Sequence, residues 1–371
     1  MSLDFSLLPD GGVPWLDASG PDGHIVLSTR IRLARNLAGN EFTIRAADGA
    51  REQIRDRVIH AARGIPQLKT AAVFQLDTMD RLDRQLLHEK HLVSKELAGL
   101  GGEQQVRVGA ALITDGAVGA MVNEEDHLRL QVLRSGFALA PAYADLEVVD
   151  AAFGAQLPFA FHQEFGYLTS CPTNAGTGLR ASVLIHLPGL VLTKEIARVL
   201  EGLSQVGLTF RGLYGEGSEV VGNLFQLSNQ TTLGKSEEDL LDHLGKLVRQ
   251  VITYEARARD VLLRDAPTVI ADKVWRAYGL LRYARSLSFE ETMNLLSGVR
   301  LGVGLNLIPD VGVYTLNKLS VFTQPAHLAH REGKALTDPD LAAIRATYVR
   351  RLLEADASRT SKGGGPTPSA S

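Results

Sequence analysis

The stretch from Cys171 to Arg180, which reads Cys-Pro-Thr-Asn-Ala-Gly-Thr-Gly-Leu-Arg, restricts the fold more than any other part of the sequence. It holds the only cysteine in 371 residues, and its two glycines let the backbone approach a ligand closely. Its arginine leads directly into the apolar, strand-like run 181–187. A thiol, hydroxyl groups and a guanidinium at the start of a strand indicate a functional turn. The alternative, which a lone cysteine would ordinarily favour, is a connecting loop around a buried, unreactive thiol.

A second segment, residues 28–32 (Ser-Thr-Arg-Ile-Arg), follows the short strand-like run 25–27. In a strand, Arg30 and Arg32 would share one face, where two cations repel each other unless an anion lies between them. Arginine suits such an anion because its planar group pairs two oxygens at once and keeps its charge. A solvated basic edge is the alternative interpretation.

Two more segments combine charge with apolar or glycine-rich surroundings. Residues 123–129 (Asn-Glu-Glu-Asp-His-Leu-Arg) follow the apolar run 120–122, so their carboxylates need partners or a function. In isolation a solvated run of charges would be the commoner case. Residues 211–216 (Arg-Gly-Leu-Tyr-Gly-Glu) continue the predicted strand 208–211 into a glycine-rich loop.

Taken together and in this order, the four segments resemble the signatures of phosphagen (guanidino) kinases. The first matches the pattern Cys-Pro-(Ser/Thr)-Asn-x-Gly-Thr-Gly-x-Arg, and the variants are most similar to those of the bacterial protein arginine kinases (the McsB type). The motifs cover residues 13–255, and a weaker resemblance continues to about residue 355. It implies an α/β (α+β) fold: a phosphagen-kinase/glutamine-synthetase-like catalytic domain with an antiparallel sheet flanked by helices, and a C-terminal all-helical domain.

The resemblance and the change in composition predict the domain organisation. We expect an N-terminal extension at 1–24, the catalytic domain at 25–257, a helical domain at 260–356 and a disordered tail at 357–371. Classical phosphagen kinases carry a helical domain ahead of the catalytic one, and from the position of Ser28, near the start of this sequence, we expect that domain to be missing.

In the protein arginine kinases the C-terminal domain is implied to serve dimerisation and phosphoarginine docking. Of their Arg-Asp-x-x-Arg-Ala docking motif, Leu341 to Ala346 keeps only the last two residues, which argues against activation by phosphoarginine.

Phosphoryl transfer from ATP needs charge neutralisation and in-line positioning more than covalent help. The five motif arginines suit a polyphosphate, and Mg²⁺ would bridge phosphate oxygens while keeping mostly water ligands, so no protein metal cage is predicted. The resemblance implies nucleotide contacts from Ser28, Thr29, Arg30, Ile31, Arg32, His91, Arg129, Arg180, Ala181, Ser182, Val183, Leu184, Arg211, Gly212, Leu213, Tyr214, Gly215 and Glu216.

Glu125 and Glu216 are the residues that the resemblance implies at the acceptor guanidinium. Because a guanidinium has a pKa above about 12, a carboxylate would align the nitrogen and accept the proton only as the N–P bond forms. Glu124 is predicted to act through metal-bound water. Cys171, as a thiolate favoured by nearby arginines, would add a third negative contact, and Arg180 is the predicted catalytic cation.

These observations predict an ATP-dependent protein arginine kinase. Leu184 supports it, because small-guanidine kinases typically carry His there and the bacterial protein kinases carry an apolar residue. One alternative is a kinase for free arginine or another small guanidine. A second is an inactive phosphoarginine-binding adaptor, which would have lost Glu125, Glu216, Arg180 or Cys171. A homodimer, an activator protein, a Clp-type protease and a role in protein quality control and stress response are implied by the resemblance alone.

Composition restricts location and partners. The net charge of −3 gives no global basic field for nucleic acid or anionic membranes. A single cysteine excludes an internal disulfide framework. The sequence shows no signal peptide and no apolar run long enough to span a bilayer, so we expect a cytoplasmic enzyme.

Helix periodicity gives three predictions that bear on the site. Residues 76–100 are predicted as a helix that carries His91 near its end. Residues 144–168 are predicted as one long helix whose apolar stripe, Phe153, Leu157, Phe161 and Phe165, belongs to the core. Ser236 is predicted to cap a helix that runs to about residue 257.

Overall fold

The computed structural model describes residues 13–101, 105–212 and 220–360. An eight-stranded sheet forms its centre. Its strands are β1 (Val26–Arg35), β2 (Ala72–Gln75), β3 (Ala111–Thr114), β4 (Val118–Val122), β5 (Leu128–Ser135), β8 (Leu179–His186), β9 (Leu208–Arg211) and β10 (Leu224–Asn229). They lie in the order β2-β3-β4-β5-β1-β8-β10-β9, and every neighbouring pair is antiparallel. The short strands β6 (Phe161–His162) and β7 (Gly166–Tyr167) form a separate hairpin.

Helices flank this sheet and make up the C-terminal part of the described chain. They are α1 (Asp48–Arg63), α2 (Arg81–Glu89), α3 (Leu139–Gly154), α4 (Pro188–Leu192), α5 (Ile196–Gln205), α6 (Glu237–Asp265), α7 (Pro267–Tyr283), α8 (Phe289–Gly304), α9 (Val313–Phe322), α10 (Pro325–Glu332) and α11 (Asp338–Thr360). The predicted antiparallel sheet flanked by helices, with a helical C-terminal region, is confirmed. Among the helices of the described residues, none combines the length and the apolar character that a membrane span requires.

One face of the sheet is packed against α1, α3 and the first half of α6. Every second residue of the central strands, such as Ile31, Leu130 and Val183, enters this core and meets Val149 and Leu244 from the helices. Because side chains alternate along a strand, the residues between them must point to the opposite face.

The opposite face carries apolar clusters at its two ends, and between them Trp15 and Leu16 cluster with Leu133 of β5. At one end α2 and the segment after it pack on Phe74, Leu112 and Met121. At the other, the C-terminal helices pack on Leu27 and Leu184, together with Leu224 of β10. Polar side chains of β1, β5, β8 and β10 lie between these two apolar clusters.

Helix α6 connects the sheet to the C-terminal helices. As predicted, Ser236 caps it: its hydroxyl accepts the Asp239 amide at 3.1 Å in a reciprocal capping box. The helix continues past the predicted end at 257 to Asp265, because nothing stops it before Pro267, which restricts the residue preceding it. It therefore runs through the predicted domain boundary. Likewise α11 reaches Thr360, inside the segment assigned to the tail.

Two predicted helices were too long. The prediction of a helix over 144–168 was wrong, since α3 ends at Gly154 and the β6–β7 hairpin follows. Pro158 explains the break, because its ring cannot be accommodated inside a helix. Phe153 lies in the core as predicted, whereas Phe161 and Phe165 are 59% and 45% exposed. Of the predicted helix 76–100, only Arg81–Glu89 is α-helical.

Candidate active site

Arginines from β1, β5 and β8 lie side by side on the polar face of the sheet. Arg32 of β1 is directly opposite Arg180 on β8. Ala34, two residues further along β1, is directly opposite Arg129 on β5. Residues that are opposite in an antiparallel pair share a face, as do residues two apart in one strand. Arg30 therefore lies on this face too, and the register brings four predicted phosphate-binding cations together.

The fifth predicted arginine joins them through the remaining strands. Leu184 of β8 is opposite Gln226 of β10, and Gln226 is opposite Arg211 of β9. Gln226 also accepts a hydrogen bond from Nη2 of Arg30 at 2.8 Å, which bridges the two halves of the face. Sequence reasoning did not select Gln226, because only the strand pairing reveals that it faces the arginines. We call the resulting set the arginine face: Arg30, Arg32, Arg129, Arg180 and Arg211.

The arginine face is strongly electropositive. Burial, followed by the charges of Arg129 and Arg180, lowers the pKa of Arg30 to about 10. Burial and the neighbouring arginines lower the pKa of Arg32 well below its ordinary value. Both side chains keep partial exposure, and the buried Nε of Arg32 has no hydrogen-bond partner among the described residues. A polyanion that supplies oxygens to these donors would relieve both the repulsion and the unmet hydrogen bond.

Glu124 supplies a carboxylate beside the arginine face. Nη1 of Arg129 lies 2.5 Å from both carboxylate oxygens of Glu124, whose side chain is buried. Burial alone would raise the pKa of Glu124, but the charge of Arg129 and hydrogen bonds from Ser94 and the Glu125 amide bring it below its ordinary value. Glu124 is thus an ionised partner of Arg129. Arg107 donates a hydrogen bond to the backbone carbonyl oxygen of Glu124.

Glu125, the next residue, is partly exposed and in a different state. Burial raises its pKa, Arg129 opposes that effect, and the charges of Asp126 and Glu124 add to it. A carboxylate with a raised pKa is a better proton acceptor than an ordinary one. The two adjacent glutamates therefore differ in what they can do: one anchors a cation, while the other can face a ligand.

Hydrogen bonds fasten this acidic loop to the cysteine loop. The Ser170 hydroxyl donates to the Glu125 carbonyl at 2.8 Å, and the Ser170 amide donates to the Asp126 carboxylate at 2.7 Å. Asn36 donates to the same carboxylate oxygen at 2.6 Å, and His127 Nδ1 accepts the Leu37 amide at 3.0 Å. Asn36 and Ser170 were not predicted, since neither lies in a recognisable motif. They hold two distant segments at one place.

The cysteine loop itself is shaped by its glycines. Gly178 has a φ of +66°, and a Cβ there would lie 2.6 Å from the Ala34 carbonyl oxygen. Only glycine fits so close to β1, which explains the residue type. Cys171 is partly exposed, with its Sγ 3.0 Å from Oγ1 of Thr173, so the alternative of a buried cysteine does not hold.

Several predicted nucleotide contacts point away from the arginine face. The side chains of Ile31, Ala181 and Val183 lie in the core, so only their backbone could meet a ligand. Thr29 is fully buried, where its hydroxyl donates to the Gly136 carbonyl at 2.7 Å and accepts the Ala138 amide at 2.9 Å. Thr29 is therefore bonded within the fold.

Other predicted contacts do border the arginine face. Ser28, Ser182 and Leu184 line a small cavity together with Arg30 and His91. Burial, followed by the charge of Arg30, lowers the pKa of His91 well below its ordinary value, which keeps the ring neutral.

The loop after β9 is only partly described. Arg211 and Gly212 end the described segment, while Leu213, Tyr214, Gly215 and Glu216 lie outside the described residues. Within the described ranges, no cluster of three or more His, Cys, Asp or Glu side chains could hold a metal ion.

Comparison with known proteins places the chain. The sequence model described as "ATP:guanido phosphotransferase, C-terminal catalytic domain" matches residues 53–258, and "Protein-arginine kinase McsB C-terminal domain" matches residues 267–363. A protein-arginine kinase of Brevibacillus brevis is 45% identical over 342 residues, which cover 91% of this chain and 94% of that protein. A protein-arginine kinase of Pelotomaculum thermopropionicum is 44% identical over 344 residues, 91% and 94% of the two chains.

Among solved structures, the duplicated taurocyamine kinase from Schistosoma mansoni with bound transition state analog components is similar, with a TM-score of 0.58 and 29% identity. The match covers 68% of this chain and 35% of that duplicated chain.

Proposed function

This chain belongs to the ATP:guanido phosphotransferase family, and from that premise we propose that it is an ATP-dependent protein-arginine kinase. It would transfer the γ-phosphoryl group of ATP to the guanidinium of arginine side chains in proteins. The observation that carries the proposal is the arginine face: five arginines from four strands, beside an acidic loop with a partly exposed carboxylate. This pairing of a polyanion site with a cation site suits transfer from a triphosphate to a guanidinium.

The arginine face would bind the triphosphate. Its guanidinium groups match phosphate oxygens in charge and in planar geometry, and the unmet Nε of Arg32 offers a donor that no described residue uses. ATP supplies the phosphoryl group, and we propose that Mg²⁺ accompanies it on phosphate oxygens with mostly water ligands. Charge neutralisation of this kind stabilises the transferring group, where negative charge is spread over three oxygens.

The acceptor would lie against Glu125. In the proposed step a guanidinium nitrogen forms the N–P bond, the bond from the γ-phosphorus to the ADP oxygen breaks, and the nitrogen proton passes to a carboxylate. The raised pKa of Glu125 supports this role. Glu124 is bound to Arg129, which favours a role in orienting that arginine over one through metal-bound water. Glu216 stays a predicted second contact, and Cys171 a predicted third.

A protein substrate is favoured over a small guanidine for two reasons. The C-terminal region matches the domain of protein-arginine kinases, and Leu184 is an apolar residue that packs against that region. A kinase for free arginine is the second candidate, because the catalytic groups would be shared. An inactive adaptor is disfavoured since Glu125, Arg180, Cys171 and Glu216 are all present in the sequence.

We propose that the chain forms a homodimer through its C-terminal helices. Helix α7 leaves Val269, Leu280 and Tyr283 exposed at 67%, 48% and 72%, at spacings of 11 and 14 residues, which place them on one side of the helix. Such a row of apolar residues is typical of an interaction surface.

Activation by phosphoarginine is not expected for this chain. Arg345, the arginine retained from the docking motif, is buried and donates to the carbonyl oxygens of Thr323 and Leu287 at 2.7 and 2.9 Å. A cytoplasmic location, an activator protein, a Clp-type protease partner and a role in the stress response remain proposals from the resemblance.

A radiolabel transfer assay tests the proposed function. Purified protein would receive γ-labelled Mg-ATP with either free arginine or an unfolded protein such as casein, followed by mild acid. We expect label on the protein alone, released by acid because an N–P bond is acid-labile. Label on free arginine alone would favour the second candidate. Label that survives acid, or no label on either acceptor, would contradict the proposal.

A further inference from the structure

The β6–β7 hairpin, residues 161–167, exposes an aromatic surface that the proposed reaction does not use. Phe161 and Phe165 are 59% and 45% exposed. The His162 ring stacks on Phe165 with centroids 5.0 Å apart, and the Tyr167 ring packs edge-on against Phe161 at 5.3 Å. We call these residues the aromatic hairpin. Neighbouring exposed aromatic rings, unlike scattered single ones, mark interaction sites.

The aromatic hairpin is joined to the cysteine loop by backbone hydrogen bonds. The Tyr167 amide donates to the Gly176 carbonyl at 2.8 Å, and the Gly176 amide donates to the Tyr167 carbonyl at 3.3 Å. A Cβ on Gly166 would lie 2.5 Å from the Gly176 oxygen, so these backbones are in close contact. The hairpin therefore has a set position relative to the loop that carries Cys171.

A buried cation supports the base of the aromatic hairpin. The Arg35 guanidinium lies 3.5 Å from the centroid of the Tyr167 ring and pairs with Asp150 at 2.8 Å. Arg35 is itself only 2% exposed. The base of the hairpin is thus rigid, while the rings of Phe161 and Phe165 project into solvent.

Chain length limits the separation between the hairpin and the acceptor site. Tyr167 and Cys171 are four residues apart, so their backbones lie within about 14 Å of each other. Ser170, between them, donates to the carbonyl of Glu125. An extended substrate polypeptide also advances about 3.3 Å per residue, so four of its residues span a similar distance. When a substrate arginine lies at Glu125, a substrate residue about four positions away can therefore reach the hairpin.

We propose that the aromatic hairpin binds apolar side chains of an unstructured polypeptide substrate, about four residues from the arginine to be phosphorylated. This inference rests on the proposed function and deepens it. Free arginine has no neighbouring residue that could contact the hairpin. A folded protein rarely exposes an apolar side chain and an arginine in one extended segment. The hairpin would thus favour unfolded chains over both.

A peptide-binding experiment without ATP tests the inference independently of catalysis. Two fluorescent peptides of one arginine in a Gly/Ser background would differ at a single position, Phe or Ser four residues from the arginine. We expect the full-length protein to bind the Phe peptide about tenfold more tightly, equivalent to about 1.4 kcal/mol. The double variant Phe161→Ser/Phe165→Ser should bind both peptides equally. Equal affinities in the unchanged protein, or a preference kept in the variant, would overturn the inference.

A control variant and a second readout separate the possible causes. Val148→Ser removes an apolar side chain that is 52% exposed on α3, and it should keep the preference. Thermal unfolding would verify that all variants fold. A change of molecular mass in the double variant without a change of preference would identify the hairpin as a contact between copies of this chain, contrary to the inference. Label transfer to neither peptide, with the binding preference intact, would contradict the proposed function alone.

Discussion

Arg32 and Arg180 lie directly opposite each other on the antiparallel strands β1 and β8, so two cations occupy one cross-strand pair. Like charges in this position destabilise a sheet. Burial lowers the pKa of Arg32, and the charges of Arg30, Arg129 and Arg180 lower it further. A protein that keeps this arrangement without an anion loses stability, and a bound polyphosphate would restore it.

The first prediction concerns that repulsion. Replacing Arg32 by Met should raise the free energy of unfolding by about 1 kcal/mol, because it removes one of two opposed cations. The same change should abolish the stabilisation that a non-hydrolysable ATP analogue gives the unchanged protein. Thermal unfolding with and without the analogue measures both effects.

The matched control is Arg134→Met, which removes an exposed arginine of β5 that pairs with Asp145. It should change the unfolding free energy by at most about 1 kcal/mol and leave analogue binding intact. If Arg32→Met binds the analogue as well as the control does, Arg32 does not contact the nucleotide.

The second prediction concerns Glu125. Glu125→Gln should reduce the rate of arginine phosphorylation by about a hundredfold or more, since it removes the proton acceptor while keeping the shape. Affinity for the ATP analogue should change little. Glu201→Gln, on an exposed position of α5, is the control and should be fully active. Normal turnover by the Glu125 variant would refute the assigned role.

The pH dependence of the rate follows from the same residue and is the third prediction. Because the pKa of Glu125 is raised, its carboxylate takes up a proton at a higher pH than an ordinary glutamate does. We expect kcat/KM for the protein substrate to fall as pH falls through that raised pKa. A pH–rate profile without an inflection on the acidic side would disagree with Glu125 as the acceptor of the proton.

The fourth prediction concerns acid stability and Glu124. The pKa of Glu124 in the folded protein is below its ordinary value of 4.5, so its stabilising effect is present above pH 4.5. That effect is lost as pH falls through the lowered pKa in the folded state. Glu124→Gln should cost about 3 kcal/mol at neutral pH, because Arg129 loses its buried partner. The difference between the two proteins should shrink in acid, which urea unfolding at several pH values would measure; a constant difference would contradict it.

The fifth prediction concerns the glycine beneath the cysteine loop. Gly178→Ala should destabilise the protein by about 1–3 kcal/mol or more, because the residue has positive φ and its Cβ would collide with the Ala34 carbonyl. Gly202→Ala is the control, since a Cβ there meets nothing within 4 Å in helix α5. It should stabilise by about 0.5–1 kcal/mol. Equal effects of the two substitutions in thermal unfolding would show that the loop backbone can adapt.

The sequence alone determined the elements whose signals are local. Strand alternation put Arg30 and Arg32 on one face of the strand and Ile31 on the other. The hydroxyl of Ser236 and the acidic residues that follow it marked the start of α6. Residue chemistry also identified the arginines and the acidic run. Each of these depends on interactions between residues a few positions apart, which a sequence displays directly.

Only the tertiary structure decided how these pieces meet. The register that puts Arg32 opposite Arg180 and Arg211 opposite Gln226 comes from strand pairing between distant segments, which local periodicity does not encode. The same packing separated the roles of Glu124 and Glu125, since only the buried glutamate reaches Arg129. It also turned Phe161 and Phe165, the last two residues of the predicted apolar stripe, outward in the aromatic hairpin, whereas Leu157 stays in the core. Burial and charge proximity arise from the folded arrangement, because they depend on neighbours that the chain brings together only when it folds.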